Sequence, residues 1–130
     1  MKYMLKYQGA ALLWAALIFV LCIIRLGDVD SSTLFFAGFD KLVHCGLFFV
    51  LATLMCCGML KANGNHRLTL GQQILSFLLP IIFGAIIELL QAYIFTWRSG
   101  DWGDLFADSI GAAMAIFSVL IVIWSIKDAK

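Results

Sequence analysis

Four long, nearly uninterrupted apolar runs divide this chain, and they constrain its fold more than any other feature. They extend from about Gly9 to Ile24, Leu42 to Leu60, Gln73 to Phe95, and Trp102 to Ile126. A helix needs roughly 20 mostly apolar residues to cross a bilayer. Backbone N–H and C=O groups in lipid must satisfy one another, which leaves only helices and closed barrels. The regular alternation of barrel strands is absent. The runs therefore predict an all-α integral membrane bundle of four transmembrane helices, forming a single domain. Composition agrees: 63% of the 130 residues are hydrophobic and only 13% are charged. A soluble domain carries about 25% charged residues, and a chain this short has too little interior to hide so much apolar surface.

Basic residues near the ends of spans set their orientation. Lys2, Lys6, Lys61, Arg67, Lys127 and Lys130 flank one side of a four-span arrangement, and Arg25, Lys41 and Arg98 flank the other. Six against three places both termini in the cytoplasm. Asp28 and Asp30 add acidic charge on the outer side but count little in this rule. Trp97 and Trp102 fit an aromatic belt at the outer interface, and Trp124 fits the inner one. A net charge of +1, with no basic patch, gives no case for a nucleic-acid partner. Membrane lipids are the expected surroundings.

The cysteines, Cys22, Cys45, Cys56 and Cys57, lie inside apolar runs without metal-ligand spacing and read as small hydrophobic fillers. The residues before Cys22, FVL, do not form a lipoprotein cleavage box. No small-residue cleavage site follows the first run, so it is expected to be a retained helix. His66, in the polar loop KANGNHR, reads as a solvated residue.

Against this apolar background, residues 88 to 108 read ELLQAYIFTWRSGDWGDLFAD. Glu88 and Gln91 fall near the outer end of the third run. Asp101, Asp104 and Asp108 fall at the outer start of the fourth, and Asp40, Lys41 and His44 at the outer start of the second. Three helices thus bring polar residues to one level of the membrane. At about 100° per residue, Asp101, Asp104 and Asp108 share a narrow arc of one helix. Gly111 and Ala115 continue that arc inward, where small residues admit a neighbouring helix. Glu88 and Gln91 share a face, and His44 lies angularly between Asp40 and Lys41.

The short connection Thr96–Gly100 makes the last two runs an antiparallel hairpin. Counting back equally from the turn sets Glu88 opposite Asp108, and Gln91 opposite Asp104 or Leu105; a slip of one helical turn is the alternative. Pro80 cannot donate to the carbonyl of Ser76, so a kink is expected there. Glu88 and Asp108 are expected about two turns deep, roughly 10 Å, where a carboxylate costs roughly 2.5 to 3.5 kcal/mol. The outer cluster holds five acidic residues against Lys41 and Arg98. A negative pocket of this kind protonates, binds cations or stays wet. If close, Glu88 and Asp108 are expected to share a proton or a cation.

The run DKLVHCGLFF at 40 to 49, ELLQ at 88 to 91 and RSGDWGDLFADSIG at 98 to 111 resembles the VanZ-like family of bacterial membrane proteins. Asp40, Lys41, His44, Glu88, Gln91, Arg98, Asp101, Asp104 and Gly111 match that family's ordered pattern. Asp108 departs from it, standing where Asn is usual. The resemblance covers about residues 40 to 115 and implies a multi-pass protein of the bacterial cytoplasmic membrane. The implied role lies in the cell envelope, in protection against lipoglycopeptides such as teicoplanin that act on lipid-linked wall precursors. It leaves open whether the protein is an enzyme.

Glu88, His44, Asp104 and Asp108 are the candidate catalytic residues. Lys41, Arg98, Gln91, Asp40 and Asp101 are the candidate binding residues for an anionic lipid-linked head group. Each has a structural reading as well. His44 and Glu88 can lock helices together, Lys41 and Arg98 can snorkel to lipid head groups, and Asp101 can cap a helix. The oxygen-rich donor set suits Mg²⁺ or Ca²⁺ better than a soft metal, although no spacing is a metal signature. A non-catalytic accessory protein is the main alternative. A proton- or ion-coupled carrier is weaker, because four short spans supply no complete polar pathway.

Overall fold

In a computed structural model, the described residues are 6–23, 38–64, 67–94 and 101–128. Among them are four helices: α1 (Gly9–Ile23), α2 (Phe39–Ala62), α3 (Leu70–Tyr93) and α4 (Trp102–Asp128). Three are long and apolar enough to cross a membrane, at Phe39–Ala62, Leu70–Tyr93 and Trp102–Ile126. The apolar helix α1 has 15 residues and spans about 22 Å at 1.5 Å per residue. Arg25, Asp28, Asp30, His66, Trp97, Arg98 and the turn Thr96–Gly100 lie outside the described residues, as do Lys2 and Lys130.

Local chemistry fixes the helix starts. Gly38 precedes α2 with φ of 90°, a left-handed conformation that glycine adopts without a Cβ penalty. Thr69 and Gln72 form a reciprocal capping box at α3. The Gln72 N–H donates to Thr69 Oγ1 at 3.3 Å, and the Thr69 N–H donates to Gln72 Oε1 at 3.0 Å. Gln72 also bonds Asn63 at the end of α2, tying the two helices where the chain turns. This cap starts α3 at Leu70, ahead of the expected Gln73. The helix runs on through the buried Pro80.

Contacts between helices show alternating directions. Gln8 Nε2 donates to the Met55 carbonyl at 3.1 Å, and Trp14 Nε1 donates to the Leu47 carbonyl at 2.9 Å. Ascending along α1 therefore means descending along α2. Lys41 meets Asp101 and His44 meets Asp108, so α2 and α4 run parallel. Phe48, Ile18, Leu51, Cys56 and Ile87 build the main core, and Ala52, Ala112 and Ala115 form a second patch. Large apolar side chains such as Leu13, Leu89, Phe106 and Phe117 face outward, as lipid-facing positions require.

The seam between α2 and α4 is the tightest in the bundle. A Cβ on Gly111 would run into the backbone carbonyl of Cys45. Only a glycine lets these two backbones approach so closely, as the small-residue arc of α4 predicts.

Candidate functional site

The seam carries the polar cluster at its upper end. Asp101 precedes α4, and its Oδ1 accepts from the Gly103 N–H at 2.7 Å, the bond an N-cap makes. Its Oδ2 accepts from Lys41 Nζ at 2.6 Å. These two bonds hold the Asp101 carboxyl below its ordinary range, the Lys41 contact being the larger cause. Lys41 also lies 3.4 Å from Asp104 Oδ1 and 3.6 Å from Asp40 Oδ2. The expected anion clamp at Lys41 is thus already engaged by three carboxylates, because the start of α4 places Asp101 and Asp104 directly across the seam.

One turn deeper sits His44, buried and stacked over Phe48 with ring planes 7° apart. Its Nδ1 lies 3.0 Å from Asp108 Oδ1, and its Nε2 lies 3.7 Å from Asp104 Oδ2. Asp104 and Asp108 are both buried, so these two carboxylates lie inside the bundle as their spacing predicts, whereas Asp101, expected on the same arc, precedes the helix and is half exposed. Phe48 in turn packs on Phe83, so two aromatic rings separate the polar cluster from the apolar space below.

The third helix enters one turn away from the equal-count pairing. Glu88 Oε2 accepts from the Asp101 N–H at 2.7 Å, so Glu88 sits level with the start of α4 and not two turns down. Gly84 faces Asp108 instead: a Cβ there would collide with the Asp108 carboxylate. The expected Glu88–Asp108 partnership is therefore replaced by two others, His44 with Asp108 and Glu88 with the cap of α4. The reason is spatial, since only the glycine leaves a hollow for a carboxylate two turns inside the helix.

Gln91 takes a different direction. Its Nε2 donates to the Cys22 carbonyl of α1 at 2.9 Å, and it does not face Asp104 or Leu105. Three residues turn a helix by about 300°, leaving Gln91 some 60° round from Glu88, far enough to meet another neighbour. It ties α1 to α3 at the same level as the cluster.

The structure thus brings together Asp40, Lys41, His44, Glu88, Asp101, Asp104 and Asp108; it turns Gln91 aside, and Arg98 lies outside the described residues. Among the described residues, two groups have donor atoms within 4.8 Å of one another: the buried trio His44, Glu88 and Asp104, and the more open trio Asp40, Asp101 and Asp104. Glu88 Oε1 and Asp108 Oδ2 are buried without a hydrogen-bond partner among the described residues. Gly84 and Phe48, which shape the floor, gave no sign of it in sequence, because glycine and phenylalanine abound in apolar runs.

Comparison with protein-family models, with curated proteins and with solved structures finds no match to this chain.

Proposed function

We propose that the chain is a VanZ-like protein of the bacterial cytoplasmic membrane, with four crossings and both ends in the cytoplasm. Its polar pocket opens outward and receives the anionic head group of a lipid-linked envelope intermediate. One observation supports this reading above others: His44, Glu88, Asp104 and Asp108, the buried acidic and basic side chains among the described residues, come from three helices and lie together in a largely apolar bundle. Ionisable groups cost too much in lipid to be kept there without use or compensation. In this reading Lys41 and Arg98 meet the head group at the rim. His44, oriented by Asp108, exchanges protons with it, and Glu88 supplies a second carboxylate.

A second reading is favoured by the contacts of Lys41. Its engagement by Asp40, Asp101 and Asp104, with the cap of α4 on Glu88, makes the cluster a device that fixes helix register for a non-catalytic accessory protein.

One experiment separates the two. Glu88→Gln and His44→Ala are introduced, and membrane abundance and teicoplanin susceptibility are measured in the same cells. Normal abundance with lost protection is the result expected of a working site. Lost abundance supports the register reading, and unchanged abundance with unchanged protection defeats the head-group proposal. Topology is checked by labelling single cysteines in a cysteine-free background from outside intact cells. Ser99→Cys is expected to label and Asn63→Cys to remain silent.

A further inference from the structure

We propose that His44, Glu88 and Asp104 form a binding site for one divalent metal ion of the borderline class, with Zn²⁺ as its representative. The three side chains come from α2, α3 and α4, each is over nine-tenths buried, and their donor atoms lie within 4.8 Å of one another.

The surroundings of each donor favour a cation. A histidine that ligates metal through one ring nitrogen usually donates its other N–H to a carboxylate, which fixes the tautomer and aims the lone pair. His44 has this arrangement: Nδ1 is held by Asp108 Oδ1 at 3.0 Å, and Nε2 points toward Asp104 Oδ2 at 3.7 Å. Stacking on Phe48 fixes the plane of the ring. Glu88 supplies the independent sign. Its exposure is 8%, Oε2 takes the Asp101 N–H, and Oε1 is buried with no hydrogen-bond partner among the described residues. A buried carboxylate oxygen left in this state carries the full cost of desolvation, and a bound cation removes it.

The donor set selects the ion. One imidazole nitrogen with two carboxylate oxygens suits zinc and its neighbours, whereas Mg²⁺ and Ca²⁺ prefer oxygen alone. Three protein ligands leave a coordination position for an exogenous group, as catalytic zinc sites do. The exposed Asp40 and Asp101 stand at the rim and draw cations inward.

The ion also answers a difficulty of the pocket. Three buried carboxylates repel an anionic head group, and Lys41 is already engaged. A divalent ion reverses the local sign and offers a phosphate oxygen a ligand position; with Nε2 on the ion, His44 serves as a ligand and no longer as a proton exchanger. That use of the ion rests on the head-group reading; its binding does not.

The test uses the full chain, purified in detergent, stripped with a chelator and titrated with Zn²⁺ alone. One ion per chain is expected. The X-ray absorption spectrum should show nitrogen and oxygen ligands at about 2.0–2.1 Å with one imidazole and no sulfur. His44→Ala and Glu88→Gln should each weaken binding by at least about 100-fold. Asp108→Ala should weaken it by about 10- to 100-fold, and Asp108→Asn, which keeps an acceptor for the imidazole N–H, should restore most of that loss. Sulfur at about 2.3 Å would assign the ion to the cysteines, and undiminished binding in His44→Ala would assign it to the open acidic trio. Either result, or no binding by the wild-type chain, overturns the site. The wild-type spectrum decides even where a variant fails to fold. Because no lipid is present, failure here leaves the susceptibility experiment standing, and lost protection in cells says nothing against the ion.

Discussion

The α2–α4 seam and the space between α1, α2 and α3 are built from similar apolar sequence, yet they hold their contents differently. Along the seam, Gly111 meets the Cys45 backbone and Ala52 packs with Ala112 and Ala115, and ionisable residues crowd its upper end. Between α1, α2 and α3 lies a cavity of about 520 Å³ lined by Leu12, Leu51, Met55, Met59, Leu79 and Phe83, with the Gln8 amide at its edge. Close backbones let short side chains such as Asp and His reach partners on the facing helix, and so allow polar groups to be kept there. Flexible Leu and Met side chains fill space loosely and offer such groups nothing.

The strongest way to break the contrast is to force the seam apart. Gly111→Val places a branched side chain against the carbonyl of Cys45, and overpacking of this kind costs roughly 1–3 kcal/mol. Unfolding in detergent should show that loss, together with loss of the His44–Asp108 contact. Gly9→Val, where a Cβ meets nothing nearby, should cost far less. Equal effects at the two glycines would mean that the seam is no tighter than the bundle's edge.

A smaller effect tests the loose side. Ala15→Leu adds volume along the cavity wall and should change stability by less than about 1 kcal/mol, since space exists to receive it. A loss as large as that of Gly111→Val would show that the space is not open to the added side chain.

The smallest expected effect concerns the rim. The Asp101 carboxyl titrates below its ordinary value of 3.8 because Lys41 and the Gly103 N–H stabilise its charged form. A depressed folded value means that its contribution to stability is present above the ordinary value and is lost as pH falls through the lower one. Asp101→Asn should flatten that acid limb of the unfolding curve and leave stability near neutral pH little changed in slope. An unaltered acid limb would show that the Lys41–Asp101 contact adds nothing.

Much of this arrangement was legible in sequence. Hydropathy placed α2, α3 and α4 within a few residues, and the spacing of Asp104, Asp108, Gly111 and Ala115 marked the inward arc of α4. Counting along the spans brings Lys41, His44 and Glu88 to the same end of the bundle. The partners did not. Membrane helices are apolar on every side, so periodicity cannot say which face of α3 meets which neighbour. That is why counting sets Gln91 opposite α4 when it bonds α1, and why it pairs Glu88 with Asp108 and leaves the one-turn slip that occurs as the alternative. Gly84 decides the register by leaving room for Asp108, but a glycine in an apolar run says nothing about what will fill the space beside it. Arg98 and its turn lie outside the described residues, so its place at the rim rests on sequence alone.

Buried ionisable groups from separate helices hold one another in a single pocket. A double-mutant cycle on His44→Ala and Asp108→Ala, read by unfolding of the metal-free protein in detergent, measures this directly. Groups in contact couple by about 0.5–3 kcal/mol, and the 3.0 Å separation of His44 and Asp108 predicts a value within that range. Additive losses, with no coupling between the two positions, would mean that these side chains do not meet.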